Sequence, residues 1–226
     1  MIGIGTSLLF GRKAGKAGKA GPSIPPFNKA MVDAWFMSGF SNNDKTSSIR
    51  GVKGNEIVLR NFAFTSESGF GEGSYEGALV FDGVDDYGIC NNLPILDDYT
   101  VICRRALENN ANNVVASKSV VAGNGAFIFE YRNNATYSFS EYTSGLAVNL
   151  KDSVSYQTKN SYNGSTITVG NADDTDTLTL GVIREKDSRI MRGAIYFFAL
   201  YNKSLTPEEI EIEKERLNEE WLKRKN

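Results

Sequence analysis

Apolar residues recur along this chain in short runs with a period of two, separated by clusters of Gly, Asn, Asp and Pro. Residues 126–132, AFIFEYR, show the pattern most plainly. Phe127, Phe129 and Tyr131 fall on one side of an extended segment, and Ile128, Glu130 and Arg132 on the other. Similar apolar or alternating runs predict strands at 30–37, 56–60, 78–81, 87–90, 99–103, 114–118, 136–142, 145–150, 154–159, 165–170, 177–184 and 191–201. Asp82-Gly83, Gly123-Asn124-Gly125, Asn163-Gly164 and Lys186-Asp187-Ser188 supply the turns between them. Pro94 bars a ladder hydrogen bond in the loop 91–98. Many short strands at this spacing predict an all-β, two-sheet antiparallel sandwich, because isolated short strands need a second sheet to cover them.

The period changes to that of a helix only at the end. Thr206 suits an N-cap, Pro207 the first helical position, and Glu209 can complete a capping box. Acidic residues crowd the start, and Lys223, Arg224 and Lys225 the end, as the helix dipole favours. Ile210, Leu217 and Trp221 form one apolar stripe, which predicts packing on the sandwich or on a second subunit.

The beginning has neither period. Residues 1–10 are an apolar arm, and GRKAGKAGKAG at 11–21 is basic and glycine-rich. Such a composition buries too little apolar area to offset its ordering entropy, so 1–26 is expected to be a flexible arm and linker. A docking role is the alternative. Ile2, Ile4, Leu8, Leu9 and Phe10 would insert into a larger assembly, with Arg12 and Lys13 on an acidic neighbour. The apolar residues precede the basic ones, the reverse of a secretory signal, so no standard signal peptide is expected. The expected domains are the arm at 1–26, the sandwich at 27–205 and the helix at 206–226.

Composition narrows the chemistry. A chain of 226 residues with 41% hydrophobic residues is long enough for one sandwich with a real core. Its formal net charge of −2 gives no global grip on nucleic acid, and no run is long and apolar enough to span a membrane. There is no histidine, which removes the usual general base and metal ligand. Cys90 and Cys103 fit no zinc spacing. They are read as buried thiols, with a disulfide as the alternative.

Residues 77–106, GALVFDGVDDYGICNNLPILDDYTVICRRA, resemble the laminin G-like branch of the concanavalin A-like lectin/glucanase fold. Members of that branch carry an LxFDGxDDYV-type strand and turn followed by a TVxxx strand. ALYNKSLTPEEI at 199–210 resembles the segment that closes such domains. The family often opens on a strand holding a Trp, which implies that Trp35 is a core residue. What the resemblance implies is a jelly-roll sandwich. The glycine-lysine tether with the strings NFAF, FDGVDDYG and GAFIFE resembles lectin-like proteins encoded by phages and prophages of gut bacteria. That implies a non-enzymatic adhesive virion component, attached to capsid or tail through its arm and contacting cell-surface or mucus glycans. A bacterial carbohydrate-binding module, at the cell surface or in the cytoplasm, and a glycoside hydrolase are the alternatives. The oligomeric state is open.

The candidate chemistry is correspondingly sparse. A glucanase of this fold would place two carboxylates on one strand face, and no strand carries the E-x-D-x-(x)-E spacing. Glu130 stands alone in its strand and reads as half of a cross-strand pair, with an Arg for example, rather than as a catalyst. No catalytic residue is therefore assigned. Calcium is the one candidate cofactor, with Asp82, Asp85 and Asp86 as its ligands, against their use as turn residues. For a glycan, Tyr131, Tyr137 and Tyr142 with Asn133 and Asn163 offer aromatic faces and amides within one stretch.

Overall fold

The computed structural model describes residues 26–108, 114–119, 127–133, 136–139, 142–144, 149–168, 174–183 and 189–226. At 131–133, 136–139 and 142–144 it describes the backbone. The arm with Ile2, Ile4, Leu8, Leu9, Phe10, Arg12 and Lys13 lies outside the described residues. The strands are β1 (Met31–Phe36), β2 (Ser48–Arg50), β3 (Glu56–Arg60), β4 (Gly69–Phe70), β5 (Leu79–Asp82), β6 (Tyr87–Cys90), β7 (Thr100–Leu107), β8 (Ala116–Lys118) and β9 (Phe127–Phe129). They continue as β10 (Tyr131–Asn133), β11 (Thr136–Phe139), β12 (Tyr142–Ser144), β13 (Ser153–Thr158), β14 (Ser161–Tyr162), β15 (Ser165–Thr166), β16 (Leu178–Leu180) and β17 (Arg192–Tyr201). Helix α1 spans Pro207–Lys225.

The fold is an antiparallel two-sheet β-sandwich closed by a C-terminal helix. The larger sheet runs β15-β14-β13-β7-β17-β5-β4. β17 is its axis, pairing β7 along one side and β5 then β1 along the other. The second sheet runs β2-β3-β6-β16-β8-β9, and β10-β11-β12 form a separate meander. Between the two main sheets lies a core that includes Trp35, Ile57, Phe81, Val101, Phe127, Leu180, Ile195 and Phe198. Trp35 is fully buried, and its indole N–H donates to the carbonyl of Asn55 at 3.0 Å.

The larger sheet is apolar on its outer face too. Ile102, Ala106, Tyr156, Ala194, Tyr196, Phe197 and Ala199 point away from the inter-sheet core, and Ile210, Leu217 and Trp221 of α1 cover them. Strict alternation would not put both Tyr196 and Phe197 on that face. A bulge does: the register with β7 jumps between Ile195 and Phe197, so one extra residue shifts the phase. The helix starts as its sequence dictates. The Thr206 hydroxyl accepts from the Glu209 N–H at 3.2 Å, and the Glu209 carboxylate accepts from the Thr206 N–H at 2.9 Å. Thr206→Ala is expected to lower unfolding stability by about 1 kcal/mol, measured by urea denaturation.

Several strands differ from the alternation pattern. β7 runs on to Leu107 through the consecutive Arg104 and Arg105, four residues past the expected end. The run expected at 126–132 as one strand breaks at Glu130, whose φ is 52°. Tyr131 consequently belongs to the meander instead of sharing a sheet with Phe127 and Phe129. The strand expected at 177–184 is Leu178–Leu180, ended by Gly181 at φ 81°. Asn149 and Leu150 are not in a strand.

Cys90 and Cys103 are free thiols on different sheets, both buried. Burial pushes the Cys90 thiol up to about 11 and the Cys103 thiol well above its usual value, so both are protonated and inert at neutral pH.

Candidate functional site

Chemistry begins with the buried carboxylates. Among the described residues these include Asp33, Asp86, Glu130, Glu213 and the side chain of Asp174. Asp33 ties down a turn, accepting from the N–H groups of Ala34, Lys53 and Asn55 and from the Asn55 amide at 2.7–2.9 Å. Glu213 accepts from the Tyr201 hydroxyl at 2.9 Å and the Asn28 N–H at 3.2 Å, and pairs with Arg216.

Glu130 has the most demanding position. The left-handed kink turns its side chain inward, where it meets Arg105 from β7. The guanidinium donates through Nε at 2.6 Å and Nη2 at 2.7 Å, so the pair is bidentate. The hydroxyls of Ser155 and Tyr162 donate to the same Glu130 Oε1 at 2.7 and 2.6 Å. Arg105 Nη1 donates to the Ser153 hydroxyl at 2.6 Å. The partnership therefore bridges the larger sheet to the β9–β10 junction, rather than joining two neighbouring strands as expected. Burial works against the Arg105 charge, but the Glu130 carboxylate outweighs it and holds the guanidinium pKa above its usual range. Burial and the same carboxylate push the Tyr162 phenol far up. Every partner here is saturated by its neighbours, and both charged side chains are almost wholly shielded from water. The cluster is scaffold.

A second buried charge pair lies at β8. Lys118 Nζ donates to Asp174 Oδ1 at 2.5 Å and to the carbonyl of Thr175. Burial lowers the Lys118 pKa against the opposing pull of Asp174. The other Asp174 oxygen accepts from the Leu96 N–H at 2.5 Å, so this pair pins two loops to the sheet.

The structure brings Asp82, Asp85 and Asp86 together, with one carboxylate oxygen from each within 4.8 Å of the others. Asp86 is fully buried. One of its oxygens accepts from the Ser68 hydroxyl at 3.0 Å and the other from the Asp82 N–H at 3.1 Å. Asp82 Oδ1 accepts from the Val84 N–H at 2.7 Å. Burial pushes the Asp86 carboxyl up to about 6, despite those bonds. Calcium takes six to eight oxygens. Here two of the three carboxylates are also engaged in holding the turn, so an ion would share them with these bonds.

Of the expected glycan residues, Tyr131 and Asn133 fall on β10, Tyr137 on β11 and Tyr142 on β12. Asn133 pairs Thr136, and Tyr137 pairs both Arg132 and Ser144, so one meander carries four of the five. Asn163 lies apart, at the tip of the β14–β15 hairpin, with φ 44°. Its side-chain oxygen accepts from the Tyr156 N–H at 2.9 Å, a turn-forming role.

The sequence reading missed a hollow on the outer face of the larger sheet, beside α1. It has a volume of about 420 Å³ and is lined by Ser74, Tyr75, Ala106, Leu107, Leu150, Lys151, Asp152 and Tyr196. Its back wall is held by Arg104. Arg104 Nε and Nη2 donate to the two Asp152 oxygens at 2.8 and 2.7 Å. The guanidinium carbon lies 4.8 Å from the Tyr196 ring centre and 4.3 Å from that of Trp221. Residues from four distant stretches build this hollow, so no local motif marks it. The one usable signal is the phase of β7, which sends Arg104 and Ala106 to the face opposite Arg105.

The same fold occurs in solved structures of low sequence identity. Trypanosoma rangeli sialidase in complex with sialic acid matches with a TM-score of 0.55 at 15% identity, over 87% of this chain and 35% of that chain. The receptor binding domain of botulinum neurotoxin D matches at 0.53 with 13% identity, over 83% of this chain and 52% of that chain. The chain thus spans about a third of the sialidase and about half of the toxin chain. At these identities the likeness is one of fold. No protein-family model matches the chain. No curated protein matches it in sequence.

Proposed function

We propose that this chain is a non-enzymatic adhesive protein whose lectin-like sandwich contacts glycans. The observation that carries the reading is the sandwich itself. It is shared over most of the chain with a toxin's receptor binding domain and with part of a sialidase solved with sialic acid. The carboxylates support the non-enzymatic half of the proposal. A glycosidase needs an acid and a base or nucleophile facing an open cleft. Asp152 is the one carboxylate among the residues lining the hollow and is paired with Arg104, and Asp33, Asp86, Glu130 and Glu213 are each buried and engaged with their own scaffold.

The finer placement is a capsid- or tail-attached fibre or decoration protein of a phage, docked to other virion proteins through the arm at 1–26. What supports it is the resemblance of the tether and of the FDGVDDYG and GAFIFE strings to phage-encoded lectin-like proteins. A bacterial carbohydrate-binding module is the second reading, favoured by the same fold without the arm's docking role.

Two measurements separate these readings. The full chain on a glycan array is expected to bind at least one glycan class, and a blank array contradicts the proposal. Fractionation of phage particles is expected to place the protein with the particles. Its recovery with bacterial envelopes instead would favour the module.

A further inference from the structure

We infer that the hollow between Ser74–Tyr75 and Lys151–Asp152 is a subsite for one ring of a neutral saccharide. The inference rests on the glycan-binding reading and gives it a place. Its volume of about 420 Å³ lies near the lower end of small-ligand sites, which leaves room for a sugar ring. The lining has the two-sided chemistry of a sugar. Ala106 forms the apolar floor, and Leu107 and Leu150 border it where they turn in to the inter-sheet core. The half-buried Tyr75 adds an aromatic wall, whose negative face suits the partly positive C–H groups of a pyranose. Ser74, Lys151 and Asp152, all exposed, make a polar rim for hydroxyls.

The rim is organised before any ligand arrives. Asp152 accepts two hydrogen bonds from Arg104, and a carboxylate offers about four lone-pair sites, so two remain for sugar hydroxyls. Arg104 neutralises the Asp152 charge, so the site asks for no cation. Arg104 is itself held against the Tyr196 and Trp221 rings, which fixes the carboxylate at little further entropic cost. The Tyr196 hydroxyl donates to the Ser74 carbonyl at 3.3 Å, tying the Ser74 side of the rim to the sheet. The Leu107 N–H donates to the Leu150 carbonyl at 2.7 Å, tying down the other side. Lys151 carries no ion pair among the described residues and is free to donate. Asp152 only accepts, so the hydroxyls of a neutral ring, which supply donors, fit it, whereas a sugar carboxylate would bring it a second acceptor.

The test uses the full ¹⁵N-labelled chain with free galactose, glucose and N-acetylglucosamine, each at about 10 mM, a concentration that registers millimolar affinity. Amide shifts are expected at 74–75 and 150–152 with at least one of them. Lys151→Ala and Ser74→Trp, both at exposed positions, are expected to unfold like the wild type and to weaken that binding about tenfold. Shifts confined to another surface would overturn the subsite and leave glycan binding standing. So would array binding of glycans without any shift from these sugars. Silence in both experiments would remove the glycan reading, and the subsite with it.

Discussion

Glu130→Gln is expected to destabilise the fold by about 3–5 kcal/mol, the usual cost of leaving one member of a buried ion pair without its counter-charge. The substitution changes almost no volume, so the loss reports charge and hydrogen bonding. Arg105 would remain shielded from water with a neutral amide as its only partner across the sheets. The Ser155 and Tyr162 hydroxyls, which now share Oε1, would compete for a weaker acceptor. The kink adds to the cost. Glu130 holds φ at 52°, a region that disfavours residues with a Cβ, and the bonds to Arg105 are what stabilise it there. Urea denaturation measures the effect, and the loss should be nearly independent of salt because a shielded pair is little screened. A variant within about 0.5 kcal/mol of wild type, the range of an ordinary surface substitution, would mean that the pair is open to water. Arg105→Met combined with Glu130→Leu should recover part of the loss. Recovery would stay incomplete, since Ser153, Ser155 and Tyr162 would each lose a partner.

The second large effect is expected at Trp221→Ala, again about 3–5 kcal/mol. Trp221 is the largest side chain that the helix buries. Its N–H donates to the Gly77 carbonyl at 2.8 Å, and its ring meets Tyr196 edge-on at 5.7 Å and lies under Arg104. Gly77 sits at φ 79°, and a Cβ there would come within 2.9 Å of the indole, so the contact is matched on both sides. Removing the ring leaves a cavity over the outer sheet face and frees Arg104 from one of its two platforms. Amide exchange across 207–225 should accelerate well beyond the rest of the chain, because α1 would open without the sandwich unfolding. A helix that stays as protected as the core strands would show that Ile210 and Leu217 hold it alone.

How much of this was readable from the chain depends on whether a signal is local. The capping box at Thr206 and Glu209 is spelled within four residues, so both its existence and its register were legible. β5 and β6 were legible because Asp82-Gly83 punctuates two apolar runs. β7 was cut short because Arg104 and Arg105 look like a loop when tertiary partners are unknown. In the fold one arginine faces the helix and the other the interior, each with a carboxylate from far along the chain. The reading of 126–132 failed at Glu130 for a related reason. Alternation assigned it to the side away from Phe127 and Phe129, and only the partnership with Arg105 explains the turn inward. β13 inverts the usual rule, turning the half-buried Ser153 and the buried Ser155 and Gln157 towards the interior while Val154 and Tyr156 face the helix side. The hollow beside α1 was illegible because 74–75, 106–107, 150–152 and 196 meet only through sheet pairing and the bulge in β17.

The central claim is that this sandwich holds glycans without cutting them. The most direct measurement is the mass of a bound glycan, recovered after prolonged incubation with the full chain at neutral pH. The account predicts that it returns at its original mass. A shortened glycan, or one that has gained water across a glycosidic bond, would contradict it.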